Sequence, residues 1–80
     1  MQRDEIERRV KQVIARVLKI NEGDIAPGAN FIFDLGADSM QSIELVAAFE
    51  EEFEADMDED AALEVQTVGD AVDFIAGYLN

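Results

Sequence analysis

The chain has no cysteine, no histidine and no tryptophan, and only one proline, Pro27. Without cysteine, neither a disulfide nor a thiolate metal site can hold the fold together. Without histidine, the usual general base near neutral pH and the commonest metal ligand are both missing. The hydroxyl side chains are Ser39, Ser42, Thr67 and Tyr78, and no imidazole is present to activate any of them. An enzyme in its own right is therefore not expected, nor is a dedicated metal site. Long apolar runs are lacking too. The longest, "LVAAF", covers residues 45–49, far short of the roughly 20 apolar residues a membrane-spanning helix needs. No stretch resembles a signal peptide, so a soluble, cytoplasmic protein is expected.

Positive charge is scarce and confined. All six basic residues (Arg3, Arg8, Arg9, Lys11, Arg16 and Lys19) lie in the first 19 positions, where three acids leave a net charge of +3. Residues 20–80 hold the other 16 acids and no base, which brings the whole chain to −13. Nucleic acid and anionic membrane are poor partners for such a surface, whereas a basic protein is a good one. Self-repulsion among these acids also predicts stabilisation by salt or divalent cations.

What remains is enough for one small domain, residues 1–80, expected as a monomer. At 49% apolar the chain can fold, with a total stability of about 4–12 kcal/mol for its length. From Asp4 to Leu18 the apolar positions are Ile6, Val10, Val13, Ile14, Val17 and Leu18, one stripe of an amphipathic helix. Arg8, Arg9, Lys11 and Arg16 fall off that stripe and are expected in solvent. "NEGD" and "PG" then break the pattern and predict a long loop over residues 20–37. Ile25, Phe31, Ile32 and Leu35 are expected to fasten it across the core, while the direction of Phe33 stays open. Gly36 can supply a backbone conformation that other residues resist. A loop this long in so small a domain is usually functional.

A second helix is predicted from about Ser39 to Phe53, a short one near Glu59 to Glu64, and a last one starting near "TVGD", with Thr67 as its cap. The stripe of the last is Val68, Ala71, Val72, Ile75 and Leu79. No segment alternates long enough to be a strand. The expected fold is all-α, a four-helix bundle with a long first loop and a short third helix. On the second helix, Leu45, Val46, Phe49 and Phe53 face the core with Ser42 among them. Met40, Glu44, Ala47 and Glu51 form the opposite row, flanked by Ile43 and Glu50. Such a row suits docking: its carboxylates steer a basic partner and Met40 desolvates against it. Because each exposed ion pair is worth only about 0–1 kcal/mol, binding there should be fast, weak and salt-sensitive.

Ser39 stands at the amino end of that helix. Either Asp38 or Ser39 can cap it, and with Asp38 as the cap Gln41 falls in the capping-box position. A serine at such a place is by default a capping residue. The same helix end also offers open backbone N–H groups and positive partial charge, which suit a phosphate attached through Ser39.

The stretch "FIFDLGADSMQSIELVAAFEEEF" closely resembles the acyl carrier proteins, whose pattern reads D-L-G-x-D-S-L before an acidic helix ending E-E-x-F. The resemblance extends over nearly the whole chain, through "IERRVKQVIARVLKI" and "TVGDAVDFIAGYL". It implies that Ser39 carries 4′-phosphopantetheine from coenzyme A, placed there by a separate phosphopantetheinyl transferase. Acyl groups would then ride as thioesters on the imported thiol, in fatty-acid, lipid or related biosynthesis. It implies that Asp38 helps the transferase and its divalent metal engage the site. Glu44, Glu50 and Glu51 match acidic positions that meet basic patches on acyl-processing enzymes. Phe31, Phe49, Val65 and Ile75 match the lining of a space for the acyl chain; otherwise they are ordinary core.

Four departures from the pattern bear on function. Met40 replaces a leucine, Phe33 and Leu63 stand where charge is usual, and no proline precedes the third helix. They suggest a specialised carrier rather than a housekeeping one. Two further readings of the acid compete. "DMDEDAALEVQT" spaces Asp56, Asp58 and Asp60 like a calcium loop, yet Ala61 and Thr67 occupy its glycine and glutamate positions. An unmodified acidic adaptor would bind a basic protein without chemistry and would tolerate Ser39→Ala. Within the carriers, an aminoacyl or polyketide load also stays open.

Overall fold

Acid at the start of the first helix and base at its end both complement the helix dipole, and the apolar stripe does the rest. In the computed structural model, which describes residues 1–79, this helix (α1) spans Arg3–Leu18, with Asp4 and Glu5 in its first turn and Arg16 in its last. It ends at Lys19, whose left-handed backbone (φ 58°) turns its N–H onto the carbonyl of Ala15. Three further helices follow: α2 (Ser39–Phe53), α3 (Glu59–Leu63) and α4 (Val68–Leu79). Asp58 caps α3 by accepting the Ala61 N–H at 3.2 Å. Thr67 caps α4 through its Oγ1, which accepts the Asp70 N–H at 3.1 Å. Among the described residues there is no strand, so the fold is the expected all-α bundle.

The core lies where α1, α2 and α4 converge. Ile6, Val10, Val13 and Ile14 of α1 meet Leu45, Phe49 and Phe53 of α2 and Val68, Val72 and Ile75 of α4. Each side chain so buried contributes about 1.5–3 kcal/mol. Val17, Leu18 and Leu79 close the edge of the core half-buried. α3 rests chiefly on α2 and buries none of its own residues, which makes it the least anchored wall of the bundle.

The connection from Lys19 to Asp38 is more ordered than a plain loop. It holds a short 3-10 turn at Glu22–Asp24 and one antiparallel bridge between Asn30 and Thr67. Around that bridge Phe31 N–H donates to the Gln66 carbonyl, Val68 N–H to that of Ala29, and Gly69 N–H to that of Pro27 at 2.7 Å. A Cβ at position 69 would stand 3.1 Å from the Pro27 oxygen, so the close crossing favours glycine there. Ile25 and Phe31 are buried and Leu35 is half-buried, fastening the loop as expected. Ile32 departs from expectation: it is 57% exposed, because the turn that buries Phe31 points its neighbour outward.

A second departure concerns Arg9, expected in solvent. Its Nε donates to Glu52 Oε2 at 2.7 Å and its Nη2 to the Glu52 carbonyl at 2.7 Å. The guanidinium also lies 5.0 Å from the centre of the Phe53 ring. The helical stripe places Arg9 beside the core edge, where its long stem packs and its head reaches across to α2. Arg9→Ala is therefore expected to cost about 1–3 kcal/mol in urea denaturation. Arg8→Ala, which loses only an exposed 3.7 Å pairing with Glu5, should stay within about 0.5 kcal/mol of the parent.

Candidate functional site

α2 starts where the chain leaves the loop through Gly36 (φ +76°) and the buried Ala37. The glycine takes the left-handed turn that a side chain resists. Asp38 is then the cap, with both halves of a capping box formed. Gln41 N–H donates to Asp38 Oδ1 at 2.8 Å, and Asp38 N–H donates to Gln41 Oε1 at 3.1 Å. The choice between Asp38 and Ser39 falls to Asp38 because only it has a glutamine three positions later.

Ser39 is thereby released from capping. It is the first residue of the helix, exposed, and its hydroxyl has no partner among the described residues. Ser42 differs: its Oγ donates to the Asp38 carbonyl at 3.0 Å. Beyond Asp38, the first turn of α2 carries no acid to offset the helix dipole. The N–H groups of Ser39 and Met40 meet no acceptor among the described residues, as expected for the first positions of a helix. One free nucleophilic oxygen thus stands beside open donors.

Two cavities adjoin this point. A shallow cleft of about 280 Å³ is lined by Ser39 with Ile32, Ser42, Ile43 and Leu63. A larger one of about 580 Å³ penetrates the bundle and shares Ile32, Ser42 and Leu63 with the cleft. Phe31, Phe49, Val65 and Ile75 all line the larger cavity, so the structure brings the four candidate lining residues together around one space. Met57, 9% exposed, joins them. Its burial was not read from the sequence, where it stands alone in an acidic run.

On the outer side of α2, Met40 (72% exposed), Glu44, Ala47 and Glu51 form the continuous exposed row that helical spacing predicts. Glu50 does not join them as a free side chain. It is half-buried, and its Oε2 accepts the Met57 N–H at 2.9 Å. The Tyr78 hydroxyl accepts the next N–H, that of Asp58, at 2.9 Å. These two side chains hold the α2–α3 connection, and neither role has a sequence signal.

A serine-linked phosphopantetheine fits this geometry. Ser39 offers an accessible oxygen with no competing hydrogen bond, and the open N–H groups face the same helix end. The apolar cleft leads from there toward the bundle interior. Among the described residues no cluster of acids is arranged to hold a metal ion, and no helix is long and apolar enough to cross a membrane. The family model for the phosphopantetheine attachment site matches residues 8–75, a span that takes in α2, α3 and most of α1 and α4.

Proposed function

Because the chain belongs to the phosphopantetheine attachment site family, whose members carry covalently bound 4′-phosphopantetheine, we propose that it is an acyl carrier protein modified at Ser39. The observation that carries this reading is the Asp38–Gln41 capping box, which caps the helix without using the Ser39 hydroxyl. Asp38 accepts the Gln41 N–H through Oδ1, leaving Oδ2 to engage a divalent metal held by the transferase. The prosthetic group supplies a thiol on a flexible arm, where carboxylic acids are held in activated form. The chain itself anchors that arm, surrounds it with acid and does no chemistry on the load.

The load is an apolar acyl group. Support comes from the cavity, whose lining is mainly apolar, including Phe31, Phe49, Val65 and Ile75, with the exposed Glu64 its one charged residue among those described. Met40, Glu44, Ala47 and Glu51 form the docking row for acyl-processing enzymes with basic patches, and Glu50 lends charge at its edge. Fatty-acid or related lipid synthesis in the cytoplasm is the setting that fits. Exposure of Phe33 and Leu63 beside the arm marks a specialised carrier. The test is intact mass after incubation with coenzyme A and a broad-range phosphopantetheinyl transferase. A gain of one phosphopantetheine arm is expected; no gain, where a known carrier gains one, overturns the reading.

A further inference from the structure

Large apolar side chains are not spread over this acidic surface. Of the seven that are exposed, Ile32, Phe33, Met40, Ile43 and Leu63 come from the loop, α2 and α3. Ile32, Ile43 and Leu63 line one cleft with Ser39, and Met40 follows Ser39 in the chain. Phe33 shares the rim of the larger cavity with Ile32 and Leu63 and is 86% exposed, the most of the seven. Its backbone N–H is held by Asn30 Oδ1 at 3.0 Å, and Asp34 closes the same turn through Asn30 N–H at 2.7 Å. The ring is thus presented on a fixed turn while its side chain stays in water. Contiguous exposed apolar groups of this kind mark surfaces that a partner covers.

The surroundings say what kind of partner. Asp34 in the loop, Glu44 on α2 and Glu64 just after α3 are exposed beside the collar residues, and no base occurs anywhere in residues 20–80. A complementary face has an apolar socket inside a rim of lysine and arginine. We propose that Phe33 is the anchor of an apolar collar around Ser39, and that the transferase modifying Ser39 docks on it with such a face. The inference rests on the carrier reading and deepens it. The exposed row of α2 supplies steering, whereas Phe33 supplies desolvation and so selects which enzymes reach the serine.

The experiment measures steady-state modification by a purified broad-range phosphopantetheinyl transferase with saturating coenzyme A and the chain as varied substrate. Phe33→Ala should raise KM about tenfold or more, as expected for an aromatic anchor losing its burial, with kcat unchanged. Phe33→Leu should restore most of the loss. Circular dichroism should be unaltered, since the ring packs on little. Between about 0.05 and about 0.5 M salt the Phe33→Ala effect should persist, while that of Glu44→Gln should shrink. An unchanged KM in Phe33→Ala, a fall in kcat alone, or an effect that salt erases would each overturn the collar while leaving the carrier reading intact. Failure of the parent to gain any mass would overturn both.

Discussion

Ser39→Ala is expected to abolish the gain of mass with coenzyme A and transferase while leaving the fold and its stability intact. The two outcomes separate because capping belongs to Asp38, whose box with Gln41 does not involve the Ser39 side chain. Were Ser39 the cap, its loss would cost about 0.5–2 kcal/mol. As the first helical residue it should cost nothing, since alanine is the better helix former. Asp38→Ala is the counterpart: it should lower stability by about 1 kcal/mol and slow modification without preventing it. Ser42 provides no substitute nucleophile, because it is half-buried and its hydroxyl is committed to the Asp38 carbonyl. Ser42→Ala should therefore load like the parent. Mass spectrometry and urea denaturation on the three variants suffice. Loading of Ser39→Ala, or its unfolding, would refute the division of labour between the two adjacent residues.

The helices were legible because each rests on local rules. α2 begins and ends where its pattern predicts, Ser39 to Phe53, with its acidic row in solvent and its aromatic residues inside. α3, only five residues long, lies where a short helix near Glu59 to Glu64 was expected and stops one residue earlier, at Leu63. The loop resisted in detail. Its apolar residues follow no period, so Ile32, expected against the core, lies in solvent, the direction of Phe33 stayed open, and the pairing of Asn30 with Thr67 depends on a contact across the chain. Arg9 was misplaced for a related reason. Helical spacing gives the angle of a side chain, but its length and the presence of Glu52 and Phe53 within reach are tertiary facts.

At the site, Ser39 and Asp38 are proposed from the motif and the four cavity residues from the match to the family pattern. Their convergence with Met57 on one cavity is a property of the packed bundle. Glu50 shows the limit of reading a face from a helical wheel. At the edge of the exposed row, its carboxylate turns back to the Met57 N–H, trading reach toward a partner for control of the α2–α3 connection. Tyr78 makes the matching contact to Asp58 from α4. α3 has little core contact of its own, so these two hydrogen bonds set its position, and α3 carries Leu63 at the mouth of the cavity.

That cavity sets up the other large effect. Ile75 is 1% exposed and lines it, so the residue serves both the core and the proposed space for an acyl chain. Ile75→Ala should cost the unloaded protein about 2–5 kcal/mol, a large share of the roughly 4–12 kcal/mol available to a domain of this size. In a chain this short each kilocalorie moves the melting temperature by about 4–8 °C, so the loss is readily seen. Ile14→Ala, at 0% exposure but away from the cavity, should cost a similar amount. The two variants should diverge once Ser39 bears a saturated acyl load. Methylenes entering the cavity fill the space left by the Ile75 side chain, each recovering about 0.8 kcal/mol, but cannot reach the void left at Ile14. Melting temperatures should therefore show the Ile75→Ala deficit narrowing as the load lengthens, with the Ile14→Ala deficit constant. Equal deficits at every chain length would mean that the load stays outside the bundle, leaving the four lining residues as ordinary core.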